Sequence, residues 1–263
     1  MGGSFVSQAM IDERRMRGLE AQVDALRTKE KDSETRKTYD EVFDHAALLT
    51  IAQLITDGVL STLDYPVSTG KEANVFHATG PDRRAKAVKI YRIATATFRN
   101  IAVYIEGDPR FKKVKRATRP TLLAWAQKEY KNLVRMGDAG VRVPNPERVL
   151  DNVLVMEYIG DETQPAPSLR EVALEDPYAV FNDVVANMRG IRESELVHAD
   201  LSEYNLLWWA GQVVVIDVGQ AVPLDHPRAA EWFKRDVANV ARFFKRRRVD
   251  VTPATLERAI LGG

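Results

Sequence analysis

His198-Ala-Asp200-Leu-Ser-Glu-Tyr-Asn205, followed twelve residues later by Asp217-Val-Gly219, is the stretch on which the reading of this chain turns. It has the form His-x-Asp-x-x-x-x-Asn and then Asp-x-Gly. A short loop in this order can present Asp200 to an incoming hydroxyl as a proton acceptor, while Asn205 turns back toward magnesium. The run Gly211-Gln-Val-Val-Val-Ile216 is rich in β-branched residues and predicts a short strand, which delivers Asp217 at its end to the same metal. Any one of these residues alone reads as a surface acid or a cap. The set in this order points to transfer of a phosphoryl group from ATP.

Kinase-fold phosphotransferases use this spacing, and the partners they need upstream are present. Ala87-Val-Lys89-Ile-Tyr91 has the look of the strand whose lysine grips the α- and β-phosphates. About forty residues on, Trp125 to Leu133 reads as helix, with Leu122, Trp125, Leu133 and Met136 spaced as one buried stripe. Glu129 on that helix is the expected ion partner of Lys89. The plainer alternatives are a strand-edge lysine and a surface pairing of Glu129 with Lys128 or Arg135. In place of a Gly-x-Gly-x-x-Gly loop stands Ser68-Thr-Gly70-Lys-Glu-Ala-Asn-Val75-Phe76, with one glycine. Small hydroxyl residues and a single glycine can still bring N–H groups to a triphosphate. No Gly-x-x-x-x-Gly-Lys-Ser/Thr match exists, so this is not a Walker loop.

Ser68 to Phe76, Ala87 to Tyr91, Met156-Glu-Tyr-Ile-Gly160, Val197 to Asn205 and Ile216-Asp-Val-Gly-Gln-Ala221 together resemble the RIO family of atypical serine protein kinases, within it the type-one branch. The likeness runs from roughly residue 40 to 245. It implies an α+β, bilobal protein-kinase-like fold with a small β-rich N-lobe and a helical C-lobe. The fold would be reduced, without an activation loop or peptide-binding helices. The expected division is a helical extension over 1–58, an N-lobe over 59–155, a hinge over 156–159 and a C-lobe over 160–263. The resemblance also implies ATP and Mg2+, with Mn2+ as a substitute, and a role in small ribosomal subunit maturation. By position, Asp200 would accept the proton, and Asn205 and Asp217 would hold metal. Lys89, Glu129, Val67, Ser68, Lys71, Glu72, Val75 and Glu203 would contact the nucleotide. Met156, Glu157 and Ile159 would form the hinge that receives adenine. Asp217 itself would be open to phosphorylation during turnover, as in an ATPase switch.

Composition agrees with that size. The chain has 263 residues, 45% of them apolar, and a net charge of +1, so no global electrostatic steering is implied. The absence of cysteine excludes disulfides, thiolate metal sites and cysteine nucleophiles, and suits a reducing cytoplasm. No apolar run approaches the ~18 residues that span a bilayer. The start fits neither a myristoylation pattern nor a signal peptide, so a cytoplasmic protein without membrane contact is expected.

Along the chain, residues 9–37 predict a charged helix with Met16, Leu19, Val23 and Leu26 on one face, or alternatively a charged arm. A helix over about 39–56 buries Tyr39, Val42, Phe43 and Ala46 and stops at Asp57-Gly58. Strands follow through 63–91 with a turn at Gly80-Pro-Asp82. A helix near 120–139 ends at Gly137 or Gly140, and Pro144 and Pro146 mark a loop. Strands near 147–151 and 153–159 lead to the hinge. Ser168 is expected to cap a short helix. Tyr178 to Glu195 forms a longer one, with Phe181, Val184, Val185, Met188 and Ile191 facing inward, and a last helix covers about 228–247.

After Asp217 there is no Ala-Pro-Glu motif and no room for a peptide platform, which leaves the protein itself, a docked assembly or water as acceptor. Two basic stretches, 110–119 and 245–248, could contact ribosomal RNA, though either could be only a solvated face. The first lies in a segment, Gly107 to Pro120, expected as a mobile loop overhanging the nucleotide. Thr118, between Arg116 and Arg119, is the candidate for self-phosphorylation, with Ser68, Thr69 and Thr121 as competitors. Two other classes share parts of the pattern. A small-molecule phosphotransferase of the aminoglycoside or choline kinase kind would need a longer C-terminal part. A silent binding module would not need Lys89, Glu129, Asp200, Asn205 and Asp217 together.

Overall fold

The computed structural model of the chain describes residues 17, 18, 21, 45–92, 101–115 and 117–262. The stripe of Met16, Leu19, Val23 and Leu26, the buried positions Tyr39, Val42 and Phe43, and Arg116 lie outside them. The chain divides into two compact units. One takes residues up to 100 with 116–126 and 147–158; the other takes 101–115, 127–146 and 159–263.

The first unit is a five-stranded sheet with a helix on one face. Helix α1 (His45–Thr56) leads into β1 (Thr62–Thr69), β2 (Ala73–Thr79) and β3 (Ala85–Tyr91), and the sheet is completed by β4 (Pro146–Leu150) and β5 (Val153–Glu157) in the order β1-β2-β3-β5-β4. Helix α1 stops where expected, since Gly58 adopts φ +71°, a left-handed turn that most side chains disfavour. Pro66 sits in β1 at the sheet edge, where its missing N–H costs no ladder bond, and the register slips on either side of it. Because side chains alternate across a strand, Phe76, Ala78, Val88, Ile90, Val153 and Val155 all point to one face. There they pack on Ala47, Leu48, Ile51 and Leu54 of α1. Ala46 is only half-buried. The opposite face carries Val75, Ala87, Lys89, Leu154 and Met156, set in rows by the register Val75↔Lys89↔Leu154 and Ala87↔Met156. Strand β5 ends at Glu157, two residues before the expected limit.

Helix α2 (Thr118–Asp138) buries Leu122, Trp125, Leu133 and Met136, the predicted stripe. Its C-terminal part belongs to the second unit, where α3 (Pro177–Glu193) and α4 (Ala229–Lys245) pack on β6 (Leu196–Val197), which pairs with β9 (Val222–Pro223); α3 also packs on β8 (Gln212–Val215) of the hairpin with β7 (Leu206–Trp209), and α5 (Pro253–Leu261) packs on α3 and α4. Asp176 caps α3 through the N–H groups of Tyr178 and Ala179, with Pro177 in the first turn. Phe181 is half-buried, and the other inward positions are buried as expected.

Two sequence expectations need correction, and one helix was not foreseen. No helix follows Ser168. Its hydroxyl and N–H do reach Glu171, but only a single turn forms, closed by the Glu171 N–H on the Ser168 carbonyl, because Ser168 bridges to Leu207 and the N–H groups of Leu169 and Arg170 donate to the carbonyls of Leu206 and Glu203, which holds this segment extended along β7. The segment from 107 is not a bare loop: Asp108 caps a 3-10 turn, Pro109–Phe111, with Phe111 buried, and Thr118 already opens α2. Helix α5 was not anticipated; a reciprocal Thr252–Thr255 capping box starts it. No described helix is long and apolar enough to cross a membrane.

Candidate active site

The loop 198–205 follows β6, and its shape is imposed from α4. Asp236 is 2% exposed and accepts from the Ala199 N–H at 2.8 Å and the Leu201 N–H at 2.9 Å. Those two bonds straddle Asp200 and fix the backbone that carries it. Arg235 donates to the Ala199 carbonyl, and Asn239 Nδ2 to the Leu201 carbonyl at 3.2 Å. Three side chains of one helix thus hold Ala199 at φ +65°, a conformation unfavourable for a residue with a Cβ. Burial pushes the Asp236 carboxyl up to about 7, against the pull of its two backbone donors.

Within the same unit, Asn205 Nδ2 donates to the Asp200 carbonyl at 2.8 Å, and the Asn205 carbonyl accepts from the Ile216 N–H at 3.0 Å. The second bond ties the start of β7 to the end of β8, and Asp217 follows directly. His198 is buried, with Nε2 at 3.1 Å from the Ile216 carbonyl, a second tie across the same gap. Desolvation raises the pKa of Asp200, and the charge of Asp217 raises it further. Two carboxylates that repel one another, beside an amide whose nitrogen is already committed, form an oxygen-donor set that a divalent cation would relieve. Two carboxylates and one amide oxygen are too few to cage a cation alone. They suit magnesium, which keeps waters and substrate phosphate oxygens in its shell.

Asp217 has φ 57° and ψ 54°, and the chain behind it makes a 3-10 turn, Val218–Gln220. The carbonyls of this turn face α2. Lys128 Nζ donates to Gly219 O at 2.6 Å, and Asn132 Nδ2 donates to Val218 O at 2.8 Å and Ala221 O at 3.1 Å. Arg110 reaches the same place, with Nη2 at 3.1 Å from Ala221 O and Nη1 at 2.7 Å from Asn132 Oδ1, and it is itself held by the buried Asp108. Arg110 is therefore spent inside the protein and is not available to an outside partner. Burial drives the Lys128 amine well below its usual pKa, and Arg110 adds to the shift.

In the first unit Lys89 is buried on the sheet face away from α1, next to Val75 in register and 5.4 Å from the Tyr91 ring centroid. Val67 is half-buried and Ser68 exposed at the end of β1; Lys71 is exposed and Glu72 half-buried in the turn. The Gly70 N–H donates to the Ala73 carbonyl at 3.1 Å, and a Cβ on Gly70 would lie 2.8 Å from that oxygen, so only glycine fits the turn. Met156 and Glu157 end β5. Ile159, in the second unit, uses its carbonyl to accept from Ala166. Glu129 is buried in α2, which excludes the surface pairing. Glu203 is half-buried near Arg247, and Thr118 is half-buried. Sequence reading missed Asp236, Arg235, Asn239, Lys128 and Asn132. The available signal was a polar residue at helical spacing inside an apolar stripe, as Asp236 lies between Trp232 and Val240.

The family model for the RIO domain matches residues 74–256. The RIO-type serine/threonine-protein kinase Rio1 of Haloferax volcanii is 45% identical over 239 residues, 91% of this chain and 82% of that protein. The corresponding protein of Methanocaldococcus jannaschii is 38% identical, over 92% of this chain and 83% of its own. The human serine/threonine-protein kinase RIO1 is 38% identical over 84% of this chain, which spans 40% of that longer protein. Among solved structures, the Rio2 kinase-ADP/Mg2+-phosphoaspartate complex from Chaetomium thermophilum has a similar fold. Its TM-score is 0.64 at 23% identity, over 83% of this chain and 66% of that one.

Proposed function

We propose that this chain, which belongs to the RIO family of protein kinases, transfers the γ-phosphoryl group of ATP to a serine or threonine hydroxyl with magnesium, and also hydrolyses ATP. The observation that carries this reading is the set of Asp200, Asn205 and Asp217, in which burial and the neighbouring charge of Asp217 both disfavour ionisation of Asp200 beside the Asn205 amide. Asp200 accepts the proton of the attacking hydroxyl as its oxygen bonds to the γ-phosphorus and the bond to the β,γ-bridging oxygen breaks, releasing ADP. With water as the attacker the product is inorganic phosphate. Asn205 and Asp217 hold magnesium, which neutralises charge on the β- and γ-phosphates. Lys89 holds the α- and β-phosphates on the sheet face it shares with Val75, and Met156 and Glu157 at the end of β5 receive the adenine.

The Rio2 complex from Chaetomium thermophilum contains a phosphoaspartate, and Asp217 is the side chain here that would carry one. Its carboxylate oxygen would displace ADP from the γ-phosphorus, and water would later release phosphate. The biological setting we assign is small ribosomal subunit maturation in the cytoplasm, with Lys112, Lys113, Lys115 and Arg119 and the 245–248 cluster as phosphate contacts. Incubation with Mg-ATP, with and without small ribosomal subunits, tests the proposal. We expect metal-dependent ADP release and a hydroxylamine-sensitive phosphate on the peptide containing Asp217, with any Thr118 phosphate mapping to 107–121. No ADP release under either condition would reject the phosphotransferase reading. Phosphate confined to serine and threonine would reject only the acyl phosphate.

A further inference from the structure

We propose that Lys128 and Asn132 are positioning residues that set the metal geometry of Asp217 by clamping the three carbonyls behind it. Lys128 and Asn132 are four residues apart on α2, so they project from one face of the helix. Both are buried, at 2% and 1% exposure. Between them they donate to Val218 O, Gly219 O and Ala221 O, at 2.8, 2.6 and 3.1 Å. The clamped turn begins immediately after Asp217, whose left-handed φ of 57° is one that aspartate tolerates better than most side chains but that still carries a cost, which the neighbouring bonds offset. Release of the turn lets Asp217 relax toward the right-handed region, and its carboxylate then leaves the position that faces Asp200 and Asn205. Arg110 braces the clamp from behind, because it fills the remaining acceptor of Asn132 and adds a bond to Ala221 O.

The inference rests on the reading of Asp217 as a magnesium ligand, and the experiment separates the two. The magnesium concentration for half-maximal ATP turnover is measured for the wild type, Asp217→Asn, Lys128→Met and Arg110→Lys. ADP binding in EDTA is measured alongside by calorimetry. Lys128→Met should raise the magnesium requirement by about 10-fold or more, the usual scale for residues that orient a metal ligand, while metal-free ADP affinity stays unchanged. Arg110→Lys keeps the charge but loses the fork. Its side chain is 26% exposed, so it tolerates substitution more readily; it should shift the requirement in the same direction and less far. A Lys128→Met protein whose turnover falls with an unchanged magnesium requirement would overturn the clamp. If Lys128→Met does not fold, an unchanged requirement in Arg110→Lys overturns it equally. A flat response in Asp217→Asn would instead sink the metal reading itself.

Discussion

Asp236 carries no chemistry of its own, yet it shapes Asp200 more directly than any neighbour in sequence. Its two oxygens take the N–H groups on either side of Asp200, and an acid that is 2% exposed does so at an energetic cost. The folded carboxyl titrates near 7, against 3.8 for an ordinary aspartate. From about pH 4 to 7 the folded state therefore keeps a proton there that the unfolded chain has lost. This group's contribution to stability is present below pH 4, falls as pH rises through that window, and is flat above it. Denaturant unfolding of the wild type and Asp236→Asn should show a difference that declines by on the order of a few kcal/mol from pH 4 to 7. A difference that grows with pH across that range would contradict the account. That Asp200 and Asp217 come within reach of each other's charge was legible in their spacing. Asp236 was not, since a lone acid on an amphipathic helix looks like any exposed carboxylate until its face is known.

Strand β2 shows how one element serves two purposes. Phe76 is fully buried between the sheet and α1, while its neighbour Val75 lies on the other face beside Lys89. Phe76→Ala should cost about 3–5 kcal/mol of stability, the usual penalty for emptying an aromatic site, read as a lower denaturant midpoint. Val75→Trp adds bulk to the face proposed to hold the nucleotide and should weaken ATP binding several-fold while moving the midpoint little. Equal stability loss in both variants would contradict the assignment of faces. The apolar run around Lys89, with its likeness to a kinase lysine strand, and the helical stripe from Leu122 to Met136 made β3 and α2 readable in the sequence. The expected helix at Ser168 failed because long-range pairing with 203–207 holds the segment extended, and helix α5 was missed although Thr252, Pro253 and Thr255 supply its start signals. Local capping is visible in sequence. Competition from distant carbonyls is not.

At the scale of the molecule, the residues assigned to chemistry are divided between the two compact units, Lys89 in one and Asp200, Asn205 and Asp217 in the other. The order of motifs along the chain pointed to a bilobal fold. It did not reveal that α2 is shared between the units, nor that Arg110, Lys128 and Asn132 form an internal brace, because basic residues in a charged segment read as solvated. The basic stretch 110–119 is correspondingly smaller as an outside contact than its sequence suggests. The account stands or falls on phosphoryl transfer centred on Asp200. Its most direct test is the rate of γ-phosphoryl transfer by Asp200→Ala at saturating Mg-ATP, with ATP affinity measured on the same protein. Transfer should fall by about 100-fold or more, as for loss of a general base, while the affinity changes by no more than about twofold. Transfer near the wild-type rate would contradict it.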